Sequence, residues 1–372
     1  DARGWRLTAR TAETLFNSDL HSGAPFLSAA HDYGPAIFPA PAEELTVVLP
    51  ALAMGGAERI VLDWIARLRG RYPVHLVALR ASVHEHAVPQ GVRLTRFDRR
   101  PDEGLRMLGR DLARSHNPRV LCHLLTAPQR AALRAGGACP VPVLHNARAG
   151  WIDAPQDLLA EPHLIVVAQA VADELRALGC RGIVTVIRHL PSLPPLPQGL
   201  RAQWRQRWSI ADDAIVVGMI GGVKPQKAYP RALRLFRGFR ERHPGARLVI
   251  MGGPAGRDGN LAWQALLAQR ARLALEDAVI LPGYVPDAAR CLPAIDVLLN
   301  TSTHEGLSIA TLEALAAGVP VVASRVGGQG EVSDPKLALL PPALPEAEWI
   351  PAMDAALGAD RRPPAWSRFP AH

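Results

Sequence analysis

The sequence has few cysteines and no C-x-x-C pair. Its four cysteines are far apart along the 372 residues, which argues against a structural zinc site or a disulfide scaffold and favours a reducing compartment. Long apolar runs are also lacking, since no stretch reaches the ~18 residues of a membrane-spanning helix. The first residues, DARGWRLTARTAETL, contain no apolar core of a secretory signal. We therefore expect a cytoplasmic protein.

Aromatic residues and lysines are scarce as well. Aromatics make up only 5% of the chain and are not interleaved with basic residues, so we expect no nucleic acid partner. The net charge of +8 favours nucleotides, phosphates or an anionic membrane face as partners, although an arginine-rich composition alone would give the same balance. The short run His84-Glu85-His86 is too small to bind a metal by itself. Of the 42 basic residues only three are lysines, and Lys224 and Lys227 lie close together behind a Gly-Gly pair.

The length predicts two domains of about 150 residues each, because single cores rarely grow larger. In both halves, continuously apolar runs alternate with amphipathic segments, which predicts two doubly wound parallel sheets covered on both faces. The predicted strands are 45–49, 74–79, 120–125, 142–146, 164–168, 215–220, 246–253, 278–284, 296–300 and 320–324, and the predicted helices include 104–115, 128–135, 170–178, 228–242, 261–273 and 308–317. The predicted divisions are an N-terminal extension of open role (1–43), a first domain (44–190), a proline-rich linker (191–200), a second domain (201–340) and a C-terminal segment (341–372).

Two segments have the order strand, glycine loop, helix. In the first, the loop contains Gly55 and Gly56; in the second, GGVKPQKAY, it contains Lys224 and Lys227. A lysine is a compact cation with three rotatable donors, which suits phosphate oxygens and charge that develops on a leaving group. The alternative is that both lysines are solvated residues of a surface turn.

A third segment, NTSTHEGLSIATLEAL, places a helix start directly after a buried strand. The helix is predicted to begin near Ser308, whose hydroxyl would cap it, and its amino end would be a phosphate site. Glu305 and Glu313 flank this start. A carboxylate beside a phosphate is suited to accept hydrogen bonds from hydroxyls, one on a sugar and one on a ribose. For either glutamate alone, a solvated helix-face residue is the alternative.

The segment THEGLSIATLEALAAGVPVVASRVGGQGE resembles the signature of the family 4 retaining glycosyltransferases, with its E-x7-E pair at Glu305 and Glu313 and a trailing G-G-x-x-E. The segments GGAERIVLDWIARL, VVAQAVADELRALG and GGVKPQKAY are similar to other parts of the same family, so that the resemblance spans residues 45–335. It implies the GT-B architecture, two Rossmann-like domains facing across a cleft. The first domain would bind the acceptor and the second the nucleotide sugar, with the C-terminal segment packing back on the first domain.

The resemblance further implies transfer of a sugar from a nucleotide diphosphate sugar, with retention and without a metal or other cofactor. As the donor we expect a UDP-sugar ahead of a GDP-sugar. By matched position, Glu305 would contact the donor sugar and Glu313 the ribose. His145 falls where the family often has a histidine near the donor sugar, and a structural histidine at a strand end is the alternative. The positions matched to the diphosphate and its surroundings are Lys227, Lys224, Gly306, Leu307, Ser308, Gly222, Gly55 and Gly56. The acceptor would be a glycan or lipid-linked molecule of cell-surface polysaccharide biosynthesis, bound with peripheral contact at the membrane face.

Two positions depart from the family pattern. Gly222 stands where the family has arginine, and Ala228 replaces the glycine after Lys227. One cation on the leaving group is thus missing, and Lys224 is the candidate replacement. These departures keep open a degenerate GT-B domain that binds a nucleotide sugar or a partner without turnover, and a nucleotide-sugar epimerase also stays open.

Two other enzyme classes fit the sequence poorly. A serine hydrolase with Ser308 in an elbow would need a later histidine, and only His372 follows. A dinucleotide dehydrogenase is disfavoured because neither GGAER nor GGPAG has the G-x-G-x-x-G spacing.

Overall fold

A computed structural model describes residues 43–53, 55–81, 84–115, 117–189, 193 and 195–364. The predicted N-terminal extension lies outside the described residues except for its last position, as do parts of the predicted linker and C-terminal segment. The chain divides into two compact units, the first ending at His189 and the second following it.

The first unit is built on a parallel sheet with the strand order β3-β2-β1-β4-β5-β6-β7. Within the described residues, its strands are β1 (Leu45–Leu49), β2 (Val74–Ala78), β3 (Arg93–Arg96), β4 (Arg119–His123), β5 (Cys139–Leu144), β6 (His163–Val166) and β7 (Ile183–Val186). Its helices are α1 (Gly56–Leu68), α2 (Pro101–Arg114), α3 (Ala127–Ala135), α4 (Pro155–Leu159) and α5 (Gln169–Ala177). Every residue of β1 and β2 is buried, as expected for strands covered by helices on both faces.

The second unit repeats this winding in a parallel sheet with the order β10-β9-β8-β11-β12-β13. Its described strands are β8 (Val216–Ile220), β9 (Arg247–Met251), β10 (Val279–Gly283), β11 (Val297–Asn300), β12 (Val321–Ser324) and β13 (Leu337–Leu340). Its helices are α6 (Leu200–Arg207), α7 (Tyr229–Arg242), α8 (Gly259–Arg272), α9 (Ile309–Ala316) and α10 (Ile350–Leu357). Trp349 and Met353, next to and within α10, belong to the core of this unit.

Each sheet reverses its winding direction between its first and fourth strands in sequence order, which are β1 and β4 in the first unit and β8 and β11 in the second. The loops that leave the carboxyl ends of such a strand pair diverge to opposite sides of the sheet and open a crevice in which ligands bind. In the second unit, the loops after β8 and β11 are the two that contain the predicted lysines and Glu305.

The predicted fold class, two doubly wound parallel-sheet domains, is confirmed. The predicted strands and helices match observed ones to within a few residues at their ends. Three sheet-edge strands, β3, β7 and β13, were not predicted. The sequence of β3, RLTR, has exposed arginines at both ends and lacks the continuous apolar run of a central strand. Among the described residues, no helix has both the length and the apolar character needed to span a bilayer.

Candidate functional site

The loops after β8 and β11 are hydrogen-bonded to each other. The amide of Thr303 donates to the carbonyl oxygen of Gln226 over 2.8 Å, and the hydroxyl of Thr301 donates to the carbonyl oxygen of Lys227 over 2.9 Å. The turn that contains Lys227, residues 225–227, is a short 3-10 helix directly before α7. The two loops therefore form one polar surface at the carboxyl edge of the sheet.

Lys227 and Glu305 form an ion pair in this surface. The Nζ atom of Lys227 lies 2.6 Å from Oε1 of Glu305, and the two side chains are only 15% and 10% exposed. The hydroxyl of Ser302 donates to the same carboxylate oxygen over 2.7 Å, and Nε2 of Gln226 lies 3.3 Å from the other. Burial alone would raise the pKa of Glu305, but the Lys227 cation, the Ser302 hydroxyl and the charge of Lys224 outweigh it and hold the pKa below its ordinary value. The carboxylate is therefore ionised at neutral pH.

The amino end of α9 lies directly after this carboxylate. Ser308 caps the helix, its Oγ accepting from the amide of Thr311 over 3.4 Å. Within the described residues, neither the amide of Gly306 nor that of Leu307 donates a hydrogen bond to another protein atom. Two available amides, the positive end of the helix dipole and a lysine together provide the donors that a phosphate group requires.

A buried polar cluster lies beneath the start of α9. The side-chain amide of Asn300 donates to Oγ of Ser308 over 3.0 Å and approaches Thr311 and Gln329 over 3.3 Å. The hydroxyl of Thr311 donates to Oε1 of Gln329 over 2.8 Å. The side-chain oxygen Oδ1 of Asn300 accepts from the backbone amide of Ser302 over 3.1 Å. These bonds connect the end of β11 and the start of α9 to the loop after β12, and so fix the loop that contains Glu305.

The Gly327-Gly328 pair packs against the Glu305 loop. Gly327 has a φ of +50°, and a Cβ atom there would lie 1.7 Å from the carbonyl oxygen of Glu305. The amide of Gly328 donates to the carbonyl oxygen of Gly306 over 2.6 Å. Glycine is required because only a residue without a Cβ permits this approach.

The other predicted residues of the second unit lie in the same two loops or in the elements that adjoin them. Lys224 precedes the 3-10 turn in an extended conformation. Glu313 lies within α9 and is 3% exposed. Gly222 lies just after β8, and a Cβ added there would be 2.5 Å from the Cβ of Ala255. Ala228, at the position where the resembled family has glycine, adopts a φ of 49° and a ψ of 43°.

The predicted residues of the first unit lie in loops at the carboxyl edge of its own sheet. Gly55 and Gly56 start α1, and a Cβ on Gly55 would meet the carboxylate of Glu58 at 2.6 Å. His145 follows β5, and its Nε2 lies 2.8 Å from Nδ1 of His123. Burial first, and then the nearby His189, lower the pKa of His145 to about 3, so its ring is neutral at physiological pH.

Three residues beside the ion pair were not predicted as functional: Gln226, Ser302 and His304. Each is next to a predicted residue or within three positions of one, in loops already chosen for their lysines and glutamate. The sequence signal that could have identified them is the presence of polar side chains in these glycine-containing loops. Among the described residues, no group of three or more His, Cys, Asp or Glu side chains is placed to bind a metal.

The chain is similar to a known protein family and to solved structures. Residues 214–357 match the family described as Glycosyl transferases group 1. The chain is similar to the crystal structure of Anabaena Alr3699/HepE in complex with UDP and glucose, with a TM-score of 0.71 and 18% identity over 86% of this chain and 90% of that one. It is also similar to sucrose-phosphate synthase from Thermosynechococcus elongatus, with a TM-score of 0.66 and 17% identity over 88% and 91% of the two chains. At these identities the structures establish the fold, which is GT-B.

Curated relatives are similar in sequence. The D-inositol 3-phosphate glycosyltransferase of Saccharomonospora viridis is 30% identical over 240 residues, 62% of this chain and 54% of that protein. The enzyme of the same description from Stackebrandtia nassauensis is 37% identical over 158 residues, 40% of this chain and 35% of that protein. The chain thus spans about half or less of the length of these relatives. The family resemblance is confirmed at the level of the fold, which is GT-B, and of residues 214–357, which match the Glycosyl transferases group 1 family.

Proposed function

We propose that this protein is a retaining, metal-independent glycosyltransferase that moves a sugar from a nucleotide diphosphate sugar to a glycan or lipid-linked acceptor. The observation that carries the proposal is the Lys227–Glu305 ion pair beside the uncommitted amides at the start of α9. A cation and a helix amino end favour a diphosphate, whereas the adjacent carboxylate does not, so the carboxylate needs a hydroxyl-bearing ligand next to the phosphate. A nucleotide sugar has both groups in this order.

In the proposed complex, Lys227 and the amides of Gly306 and Leu307 hold the diphosphate. They stabilise the negative charge that grows on it as the sugar–phosphate bond breaks, so no metal is required for this role. Lys227 already contacts Glu305, and it would then lie between the carboxylate and the phosphate. Glu305 would accept a hydrogen bond from a donor-sugar hydroxyl and Glu313 from the ribose. The proposed roles of Gly55, Gly56 and His145 stay as the family resemblance implies them.

A UDP-sugar is the proposed donor, supported by the similar structures in complex with UDP and UDP-glucose. The acceptor is proposed to be a glycan or lipid-linked molecule of cell-surface polysaccharide biosynthesis, bound at the cytoplasmic membrane face by a protein of net charge +8. Because the relatives are named for inositol 3-phosphate, that small anionic acceptor belongs in the same screen.

A second candidate function is a GT-B protein that binds a nucleotide sugar without turnover. It is favoured by one observation: the position of the family's arginine is Gly222, where the Cβ of any larger residue would meet Ala255 at 2.5 Å. A nucleotide-sugar epimerase would share the diphosphate site and differ by converting the donor without an acceptor.

The test is nucleotide release from UDP-, GDP- and ADP-sugars, with and without glycan, lipid-linked and inositol phosphate acceptors. We expect acceptor-dependent release from one donor class, and a loss of at least about a hundredfold in Lys227→Ala and Glu305→Gln. Lys336→Ala is the matched control, because Lys336 also pairs with a buried carboxylate, Asp334, over 3.4 Å, but at the start of β13. It should retain activity.

Each of the other outcomes is distinct. Wild-type rates in both site variants would refute the site. Donor binding with no release under any acceptor would favour the non-catalytic alternative, and donor conversion without an acceptor would favour the epimerase.

A further inference from the structure

His304 occupies a position in the candidate site that neither the family resemblance nor the proposed function uses. It lies directly before Glu305, and its backbone carbonyl accepts from Nε2 of Gln226 over 2.7 Å. Gln226 lies in the turn after β8 and directly precedes Lys227. His304 is thereby tied to the lysine turn, and its side chain is only partly buried.

The hydrogen bonding of the His304 ring in the described structure involves Nδ1. Nδ1 of His304 lies 3.0 Å from Oγ1 of Thr303. The hydroxyl of Thr303 is in turn 3.3 Å from the carbonyl oxygen of Gln226, which can only accept. When this hydroxyl donates to Gln226, Nδ1 of His304 donates to Oγ1 of Thr303, and Nε2 of that neutral tautomer has a lone pair and no proton. Among the described residues, Nε2 has no hydrogen-bond partner.

A lone pair cannot bind a phosphate oxygen, but a protonated Nε2 can. The charged groups that interact electrostatically with His304 are Glu305 on its own loop and Lys224 and Lys227 on the turn after β8. We propose that His304 is a third cationic ligand of the diphosphate, which takes up a proton as the nucleotide sugar binds and supplies the charge that is missing at Gly222. This inference rests on the proposed function, because it assigns a residue to the same donor site.

The electrostatics of the free protein agree with this direction. Burial lowers the pKa of His304, Glu305 opposes this, and Lys224 and Lys227 lower it further, so the ring is neutral at pH 7 without ligand. A bound diphosphate adds two negative charges beside the same cations and raises the pKa. Glu305 does not change its charge between pH 5 and 8, because its pKa is held below the ordinary value.

Binding is measured by calorimetry between pH 5 and 8 with UDP-glucose, ADP-glucose and GDP-mannose, whose diphosphate diesters do not titrate in this range. Each unit by which binding raises the pKa of His304 strengthens the affinity about tenfold once the pH is below the free-state value. We expect a gain of about tenfold from pH 8 to pH 5 in the wild type, with proton uptake seen by comparing two buffers. His304→Gln keeps a polar group near the position of Nε2 without a charge. The affinity of this variant should change less than about twofold over the same pH range.

The control is His243→Gln. Besides His304, His243 is the remaining histidine of the second unit in the part of the chain that the structure describes, and its Nε2 is paired with Asp354 over 2.8 Å. This variant should keep the wild-type pH dependence. The His304 ring proton, assigned with the variant and followed by NMR in the wild type, should titrate at a higher pH with ligand than without.

Equal pH dependence in the wild type and His304→Gln, or an unchanged His304 titration, would overturn this inference and leave the proposed function intact. Failure of all three nucleotide sugars to bind at any pH would overturn both.

Discussion

Replacing Lys227 by methionine removes the cation that faces Glu305 while keeping a long side chain in place. The carboxylate is then left 10% exposed with two neutral donors, Ser302 and Gln226. Breaking a buried ion pair from one side costs about 3–5 kcal/mol when the remaining charge has no other partner. Because both carboxylate oxygens keep a donor, we expect a smaller loss in unfolding free energy, about 2 kcal/mol at pH 7.

The sign of the pH dependence distinguishes this mechanism from simple loss of packing. In the wild type the pKa of Glu305 is depressed, so the carboxylate contributes stability above its unfolded value and loses it as the pH falls. In Lys227→Met the largest depressing influence is gone and burial raises the pKa. The destabilisation of the variant should therefore be greatest near pH 7 and shrink towards pH 4.5.

Differential scanning calorimetry at both pH values measures the effect. A loss of about 2 kcal/mol lowers the Tm of the transition of a unit this size by about 4–8 °C. The double variant Lys227→Met/Glu305→Gln should recover about half of the loss, because the buried charge is removed. A loss below about 0.5 kcal/mol in the single variant, or one that is the same at pH 7 and 4.5, would refute the reasoning.

Three further changes test the local geometry. Ala228→Gly should stabilise the protein by about 0.5–1 kcal/mol in urea unfolding, because a φ of 49° costs an L-residue more than glycine; a loss would contradict this. Ser308→Ala should lower the unfolding free energy by about 1 kcal/mol by removing the cap of α9, and an unchanged Tm would show that the cap is dispensable. Gly252→Ala should cost about 1–3 kcal/mol, since its Cβ would lie 1.9 Å from the carbonyl oxygen of Gly221, whereas Gly245→Ala, with no atom within 4 Å, should be neutral.

The positions of Lys227 and Glu305 were predictable because both follow buried strands that end in glycine-containing loops. Carboxyl ends of parallel strands meet at one edge of a sheet, so such loops converge. Their direct pairing was not predictable. It depends on the register of β8 with β11, in which Val217 lies opposite Val297, and two runs of valine and leucine give no preference for one register over another.

The buried polar cluster under α9 was also beyond the sequence pattern. Asn300 ends an apolar strand, and Gln329 lies 29 positions later in a glycine-rich segment. Either residue would ordinarily be assigned to a solvated loop, as polar residues usually are. Only the packing of the loop after β12 against the start of α9 brings their amides to within 3.3 Å and buries both.

The absence of the family's arginine involves two positions, 222 and 255. The backbone after β8 pairs with the segment after β9, since the amide of Val223 donates to the carbonyl oxygen of Gly253 over 2.7 Å and the amide of Ala255 to that of Val223 over 3.0 Å. This pairing places the methyl group of Ala255 only 2.5 Å from the position that a Cβ atom on residue 222 would occupy. An arginine at position 222 would therefore have to displace paired backbone rather than a flexible side chain. Restoring the family's cation needs a change at position 255 as well. Without that change, the positive charge of the proposed diphosphate site comes from the lysine turn and its neighbours.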